Sequence, residues 1–576
     1  MNLFRRVFLR LSDPLLKKCL WQRSYDIDAQ KSKSPAWLDK LMYCDCAHAI
    51  HHYQSTEPGY RHYLWNHNFL GCIEKRQRQR TVKHWRHKPV VSIQLPVFKV
   101  DIGQLQACLD SVARQLYPHW QLCIVEDGCG ISTIRETLLA FRDRFPDKVK
   151  IALRDDNRGI TASSQEAFEL TDGDYVAFLD HDDYLAPEAL YEVVKLINLH
   201  PDTDWIYSDN DKIDSHGLRC CLHAKPAWSP ELLMTYNYIL HLSVIRRSLI
   251  QQAGGFREGF EGSQDHDLYL RISELSDKIR HIPHVLYSWR QSAASVALNP
   301  ENKPYAYDSA LRALNAALQR RGETGYATHP EHSWLGSYQI IRQLEKPDID
   351  VILLGTNCTN TSVLRMLEQQ TGVSINKYSW LEPDESAGHS LSTLIENCQA
   401  PYLLLLAPSI QFNKPGQLFD MAANLSPAGV AITTAKIVNS AGRVDHCGLA
   451  YQHGKLSYPL RGWEKDLDGI GAYGALPRNI SITSPLISLC KTKELQNLVA
   501  RLACYQEIPA WFIGLSLELL AKRLRISVDG GIATLDTATE PYRITLSDRD
   551  EYLLQTNYPC YFNSDDPLYH HQMNIC

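Results

Sequence analysis

Between residues 89 and 325, short apolar runs alternate with stretches of helical periodicity. Runs of strand length fall at 90–93, 122–125, 149–153, 175–179 and 205–207. Between them, apolar residues recur at helical spacing in 102–115, 132–145, 160–170 and 187–199. This alternation predicts an α/β protein with a mostly parallel sheet and helices on both faces. In such sheets, ligands bind at the carboxyl ends of the strands.

The length of 576 residues allows about three domains. Residues 1–88 lack strand patterning and form a predicted helical region, which the alternating segment 89–325 follows. The remainder, 326–576, begins in the same way, with a strand pattern at 351–355 and a later buried strand at 402–406. We therefore expect two tandem α/β domains behind a helical N-terminal region.

Charge is distributed unevenly along the chain. Residues 1–88 contain 17 Lys and Arg against 7 Asp and Glu, although the formal net charge of the whole chain is −5. Apolar residues at helical spacing in 1–21 predict an amphipathic helix, which would either lie in a membrane interface or pack on the protein. A second basic run, 75–88, either contacts phosphates or is a solvated helix face. The acidic remainder argues against a nucleic-acid partner.

Compartment is inferred from what the sequence lacks. Its apolar runs fall short of the ~20 residues that a spanning helix needs, and the N-terminus does not have the pattern of a signal peptide. The 16 cysteines are scattered rather than arranged as a disulfide framework. We expect a cytoplasmic protein, with residues 1–21 as a possible peripheral contact to the inner face of the cytoplasmic membrane. A zinc site formed by Cys44, Cys46, His48, His51 and His52 is disfavoured, because one helix rarely supplies a tetrahedral ligand set.

Acidic residues follow two of the predicted strands. Asp180, Asp182 and Asp183 come directly after 175–179, and such a cluster is stabilised when a cation neutralises it. Oxygen ligands suit Mg²⁺ or Mn²⁺, which commonly share their shell with substrate phosphates. The alternative is a solvated acidic loop. Asp127 follows the strand at 122–125 and could accept hydrogen bonds from a nucleobase or ribose, although Asp-Gly is also a common turn pair.

Five motifs occur in a fixed order: 92–98, 126–128, 157–160, 178–183 and Gln264-Asp265. Their order and spacing resemble those of family 2 glycosyltransferases with the GT-A fold. The likeness covers residues 90–322. Three further stretches, 207–214, 225–230 and 254–260, resemble the bacterial branch that assembles O-antigen and related surface polysaccharides.

The resemblance implies a role for each matching residue. Asp182 would bind Mn²⁺ or Mg²⁺ directly, Asp180 would contact the ribose or the metal shell, and Asp265 would be the general base. The base and ribose of a UDP- or dTDP-sugar donor would be held by Pro96, Phe98, Glu126 and Asp127. The implied reaction is inverting transfer of a sugar to a hydroxyl of a lipid-linked or growing surface polysaccharide.

The chain departs from the family pattern in two places. Ser292 stands where the resemblance leads us to expect a histidine metal ligand, and Gln264 replaces the usual glutamate before the base. The base itself is kept, so we expect activity.

The last domain resembles a second GT-A unit without its chemistry. When 402–409 is aligned with 175–182, Ala407 replaces Asp180 and Ser409 replaces Asp182, and Phe512 likewise replaces Asp265. We expect this domain to be structural or acceptor-binding.

Two other functions are alternatives to a glycosyltransferase. A sugar nucleotidyltransferase would carry a glycine-rich basic loop after the first strand, and residues 95–102 have one Lys and no Gly. A non-catalytic scaffold of a glycan assembly complex fits the last domain better than the middle one, which retains its carboxylates.

Overall fold

The computed structural model describes residues 55, 57–64, 68, 70, 72–291, 304–330, 334–355, 361–382, 386–467, 472–538 and 542–569. The predicted helix at 1–21, the cysteine and histidine cluster at 44–52 and Ser292 lie outside these residues.

The described chain divides into two compact units, and neither is continuous in sequence. The first comprises the described residues up to Lys225 together with Ile239–Ala313. The second comprises Pro226–Tyr238 and the described residues from Leu314 onward. A short segment from the middle of the chain is therefore part of the second unit.

The first part of the chain contains these elements: α1 Pro58–Tyr63, α2 Cys72–His84, β1 Val91–Val97, α3 Ile102–Ala113, β2 Trp120–Glu126, α4 Ser132–Arg144, β3 Val149–Leu153, α5 Gly159–Glu169, β4 Tyr175–Phe178, β5 Tyr184–Leu185, α6 Ala189–Leu199, β6 Trp205–Ile213, β7 Arg219–His223, α7 Pro230–Leu233, β8 Ser243–Arg246, α8 Arg247–Gln252, α9 Gln264–Ser273, β9 Ile279–Arg290 and α10 Pro304–Arg320. Helix α7 lies in the segment that belongs to the second unit.

The first unit is built on one sheet with the strand order β3-β2-β1-β4-β8-β6-β9-β5, and β7 pairs with β6. Strands β3, β2, β1 and β4 are parallel neighbours, as predicted. All seven residues of β1 are buried, as expected for a strand covered on both faces. Strand β8 runs antiparallel to both β4 and β6, so the sheet is mixed. The predicted α/β fold is confirmed.

A local sequence signal explains where helix α3, next to the sheet, begins. Helix α3 is capped by Asp101, whose carboxylate accepts a hydrogen bond from the Gln104 amide at 3.1 Å. Residues 75–84 of the basic run lie in α2, where Arg78 pairs with Glu192 at 2.5 Å and lies over the Tyr191 ring, whereas Arg76, Arg80 and Lys83 are exposed. Among the described residues, no helix combines the length and apolarity needed to cross a membrane.

The rest of the chain contains β10 Gly325–Thr328, β11 Gln339–Arg342, β12 Asp348–Leu354, α11 Thr361–Glu368, β13 Ser374–Leu381, α12 Ala387–Glu396, β14 Tyr402–Leu406, β15 Ile410–Phe412, α13 Gln417–Leu425, β16 Val430–Asn439, β17 Val444–Cys447, β18 Ala450–Gln452, β19 Lys455–Ser457, β20 Pro477–Ile480, β21 Ile487–Lys491, α14 Thr492–Gln496, α15 Val499–Leu502, α16 Ile508–Ala521, β22 Arg525–Asp536, α17 Asp548–Asn557 and α18 Pro559–Asn563. The strands predicted at 351–355 and 402–406 correspond to β12 and β14.

The second unit has its own sheet, with the order β13-β12-β14-β21-β16-β22-β15. Strand β17 pairs with β16, and β20 pairs with β22. Its core forms around buried residues on both sides of β14, whose Leu403 and Leu404 have no exposed surface.

Candidate functional site

The acidic loop 180–183 leaves the carboxyl end of β4, between the two strands that flank β4 in the sheet. The amide of Leu179 donates to the Gln94 carbonyl of β1, and the Asp183 amide donates to the Asp180 carbonyl, which makes the loop a tight turn. The Asp180 side chain is 45% exposed, whereas Asp183 has no exposed surface. The loop therefore carries both an open and a buried carboxylate.

The buried carboxylate of Asp183 is held by two groups from the end of β9. It accepts a hydrogen bond from the Tyr287 hydroxyl at 2.6 Å and another from the Arg290 amide at 2.7 Å. Burial raises the pKa of Asp183 well above its ordinary value, and the charges of Asp182 and Asp180 raise it further. Burial also raises the pKa of Asp182, although nearby His181 acts in the opposite direction. A cation at the loop would relieve the repulsion among the carboxylates of Asp180, Asp182 and Asp183.

His241 lies against the same loop, immediately before β8. Its Nε2 is 3.5 Å from a carboxylate oxygen of Asp180, and its ring stacks on Tyr287 with a centroid separation of 4.6 Å. The potential ligand atoms of Asp180, Asp183 and His241 all lie within 4.8 Å of one another. Within the described part of the chain, the buried Nδ1 of His241 has no hydrogen-bond partner. Two carboxylates and an imidazole are a suitable donor set for Mn²⁺.

This grouping differs from the metal ligands predicted from sequence. Asp180 is present as expected, but the two residues beside it are Asp183 and His241, and Asp182 is outside the group. No sequence pattern points to His241, which is a single histidine 61 residues after Asp180 in a mostly apolar stretch. The position where a histidine was expected, Ser292, lies outside the described residues.

The carboxylate of Asp127 fixes the loops that follow β2 and β3. It accepts hydrogen bonds from Arg154 at 2.8 Å and from the amides of Arg158 and Gly159 at 3.0 and 2.9 Å. Burial would raise the pKa of Asp127, but these hydrogen bonds outweigh it and hold the pKa below its ordinary value. Gly128 has a φ of +62°, and a Cβ there would lie 2.4 Å from the Asp156 backbone. The two loops therefore meet closely at a position that suits glycine.

Glu126, the other carboxylate predicted to hold the nucleotide, has no exposed surface. It accepts hydrogen bonds from the Cys129 amide at 2.6 Å and from Arg135 at 2.7 Å. Burial would raise its pKa, but the hydrogen bonds leave the pKa below its ordinary value. Its carboxylate is thus an ionised support for the loop after β2.

Pro96 and Phe98 lie at the carboxyl end of β1, beside these loops. Pro96 pairs with Val125 in the parallel ladder, and its carbonyl is 3.0 Å from Nδ1 of His181. Phe98 is half-buried against the core, and the Lys99 ammonium lies 5.1 Å from the centre of its ring. The carboxyl ends of β1 and β4 are linked in this way by His181.

Asp265 lies in the first turn of α9 and is half-buried. One of its carboxylate oxygens accepts a hydrogen bond from the His266 amide at 2.8 Å. Burial raises the pKa of Tyr269, and the negative charges of Asp265 and Asp180 raise it further. The charges of Asp265 and of the acidic loop therefore act on the same tyrosine. The next acidic residue, Asp267, has no exposed surface and binds Arg257 and Arg271, so its role is structural.

Residues 92–230 match the sequence profile of the family described as Glycosyl transferase family 2. The chain contains a family 2 glycosyltransferase domain. This family 2 domain covers β1 to β7, including the acidic loop, and gives the first unit the GT-A-like α/β fold that the sequence predicts.

Two curated proteins are similar to a longer part of the chain than the family 2 domain. The chain is 31% identical over 419 residues to the protein y4gI of Sinorhizobium fredii, a match that covers 66% of this chain and 46% of that protein. It is 27% identical over 398 residues to the O-antigen biosynthesis protein RfbC of Myxococcus xanthus, covering 64% of this chain and 31% of that protein. The chain thus spans less than half the length of either relative.

One solved structure with similarity is that of residues 1–349 of S. aureus TarS. The match covers 40% of this chain and 65% of the TarS chain, at 18% sequence identity and a TM-score of 0.32.

Proposed function

We propose that the first unit is a metal-dependent, inverting glycosyltransferase that uses a nucleotide-diphosphate sugar, such as a UDP- or dTDP-sugar. The acceptor would be a hydroxyl of a lipid-linked or growing surface polysaccharide. The observation that carries this proposal is the convergence of Asp180, Asp183 and His241 at the carboxyl end of β4 in a family 2 domain. The relation to a protein named for O-antigen biosynthesis supports the acceptor class.

Asp180 and His241 would hold the metal, with Asp182 as the further ligand that the family resemblance implies. Asp183 is already engaged by Tyr287 and Arg290, so its contribution would be to hold the loop in place behind the ligands. A bound Mn²⁺ or Mg²⁺ would supply charge neutralisation for the diphosphate leaving group. Oxygen-rich sites of this kind fit either ion.

The remaining chemistry falls to side chains of the first unit. Asp265, in the first turn of α9, would take the proton of the acceptor hydroxyl as that oxygen attacks the anomeric carbon. Attack from the face opposite the leaving group inverts the configuration. Pro96 and Phe98 would contact the nucleotide base. Asp127, and Glu126 through the loop it supports, would shape the ribose pocket. Positioning and electrostatics would supply most of the rate enhancement.

For the rest of the chain, we propose a non-catalytic GT-A-like domain at 326–576 that is structural or binds the acceptor, and a basic helical region at 1–88. The active domain would then correspond to 89–325. The basic N-terminal region suits a protein that works in the cytoplasm, at the inner face of the cytoplasmic membrane, where lipid-linked acceptors are found.

The test is consumption of a panel of nucleotide sugars with and without Mn²⁺, comparing wild type with Asp182→Ala and Asp265→Asn. We expect one donor to be consumed only with metal, and both variants to lose that activity. Asp202→Asn, which changes an exposed carboxylate of the same unit, is the matched control and should behave like wild type. If no donor binds by calorimetry and the variants behave like wild type, a scaffold function replaces this proposal.

A further inference from the structure

Lys225 is a buried lysine in contact with the segment that carries His241, and the proposed mechanism does not use it. Its side chain has no exposed surface. Its ammonium donates to three backbone carbonyls, those of Ser208 at 2.7 Å, Ile239 at 2.5 Å and His241 at 2.6 Å. An ammonium has three N–H donors, so its hydrogen-bonding capacity is spent on the main chain.

The two carbonyls from the His241 segment lie on either side of Leu240, which has a φ of +41°. The left-handed region is costly for a residue with a side chain, and such conformations persist where surrounding contacts hold them. The Leu240 carbonyl is also held, because it accepts a hydrogen bond from the Tyr269 hydroxyl at 3.0 Å. Three consecutive carbonyls, 239–241, are therefore fixed by two side chains.

We propose that Lys225 is a positioning residue, which holds the main chain of residues 239–241 so that the His241 imidazole faces Asp180. This inference rests on the proposed function, because it gives His241 its role as a metal ligand. The segment needs such a restraint because the chain enters the second unit directly after Lys225 and returns at Ile239. Lys225 is the last residue before the chain leaves the first unit. Its side chain binds the carbonyls of Ile239, where the chain returns, and of His241.

The competing explanation is that Lys225 only stabilises the fold, as many buried polar groups do. Lys436 is a matched comparison for this role. It is buried in the second unit, and its ammonium donates to the carbonyls of Lys465 at 2.7 Å and Gly474 at 2.9 Å. If only general stability matters, Lys225→Met and Lys436→Met should have similar effects on metal affinity.

The decisive measurement is Mn²⁺ affinity of the full chain, by electron paramagnetic resonance of free Mn²⁺ and by calorimetry. Lys225→Met should raise the dissociation constant about 10-fold or more, as loss of a residue that orients a metal ligand does. Lys436→Met should leave it unchanged. Equal affinities for these two variants, together with weaker binding by His241→Ala, would overturn the positioning role.

Tyr269→Phe provides a second test that does not depend on the folding of Lys225→Met. It removes one hydroxyl donor to the Leu240 carbonyl, and we expect a dissociation constant about threefold higher. An unchanged affinity in a folded Tyr269→Phe protein would count against the proposal. If Asp180→Ala and His241→Ala both bind Mn²⁺ like wild type, the metal site of the proposed function is wrong and the inference falls with it.

Discussion

The first and second units build their sheets along the same path. The order β2-β1-β4-β8-β6-β9 in the first sheet corresponds to β13-β12-β14-β21-β16-β22 in the second. The directions agree as well, since β8 and β21 are antiparallel to their neighbours and the pairs β6–β9 and β16–β22 are parallel. Each sheet also ends in a short antiparallel strand, β5 or β15.

The strand registers identify which residues correspond. Ala177 pairs with Val244 in the first sheet, and Leu404 pairs with Leu489 in the second. Counting from these pairs, the counterparts of Asp180, Asp183 and His241 are Ala407, Ile410 and Leu486. The alignment predicted from sequence also places Ala407 at the position of Asp180, and it places Ser409 at the position of Asp182.

These counterparts have become part of an apolar core. Ala407, Ile410 and Leu486 are 9%, 0% and 6% exposed and belong to one cluster, and the Ala407 amide donates to the Leu486 carbonyl at 2.8 Å. Phe512, aligned with Asp265, is fully buried in a helix. The same sheet path thus forms without the charged residues, because apolar side chains in their places contribute to packing instead.

The largest expected effect comes from giving the first unit the residues of the second. The double variant Asp180→Ala, His241→Leu should lower sugar transfer about 100- to 1,000-fold, because it removes electrostatic stabilisation of the leaving group. Transfer is measured at saturating donor and Mn²⁺. Ala407→Ser in the second unit is the control, and an equal loss in that variant would contradict the assignment of the transfer reaction to the first unit.

The reverse substitution places a carboxylate in the second unit at Ile410, the counterpart of Asp183. It tests whether the surroundings of that position can still hold a charge. Ile410→Asp should lower the free energy of unfolding by about 3 kcal/mol or more, because an unpaired carboxylate would be buried among apolar side chains. Denaturant unfolding provides the measurement. Gln411→Asp, at the exposed neighbouring position, should change it by less than about 0.5 kcal/mol.

Metal should stabilise one sheet and not the other. At a Mn²⁺ concentration 100 times the dissociation constant, binding should stabilise the first unit by about 2.7 kcal/mol. Hydrogen exchange followed by mass spectrometry should report slower exchange in β4 and β8 and no change in β14 and β21. The protection should disappear in Asp180→Ala, and protection of β14 or β21 that persists in this variant would place a metal elsewhere.

The smallest expected effect concerns the segment Pro226–Tyr238, which interrupts the sequence of the first unit and belongs to the second. Ser229 is buried, accepts a hydrogen bond from the Asn479 amide at 3.0 Å and donates to the Asn479 side chain at 3.0 Å. Ser229→Ala should lower the free energy of unfolding of the second unit by about 1 kcal/mol. Ser215→Ala, at an exposed position, is the control and should have no measurable effect.

Much of the first sheet could be predicted from sequence because parallel strands buried on both faces are continuous apolar runs with helical stretches between them. The five strands predicted from such runs correspond to β1, β2, β3, β4 and β6. The acidic loop could be located because a strand end is a local signal. Asp183 is wholly buried and accepts hydrogen bonds from the end of β9. Because these contacts depend on a distant strand, the local sequence does not predict them.

His241 illustrates the limit of sequence reasoning most clearly. Its place beside Asp180 depends on β8 entering the sheet antiparallel between β4 and β6, and this pairing joins residues far apart in the chain. Glu126 and Asp127 illustrate a second limit. The sequence places them at the end of the strand predicted at 122–125, but only the structure shows that neighbouring arginines and amides already occupy their carboxylates.

The segment Pro226–Tyr238 has a consequence for how the protein can be divided. Its Leu232, Leu233 and Met234 are at most 2% exposed, and Glu231 pairs with Arg525 at 2.9 Å. A fragment that stops after Ala313 would keep these side chains but lose the residues that bury them, whereas a fragment that starts at Leu314 would lack helix α7. The rational route to studying either half alone is therefore to remove Pro226–Tyr238 from the first fragment and to join it by a linker to the fragment that starts at Leu314.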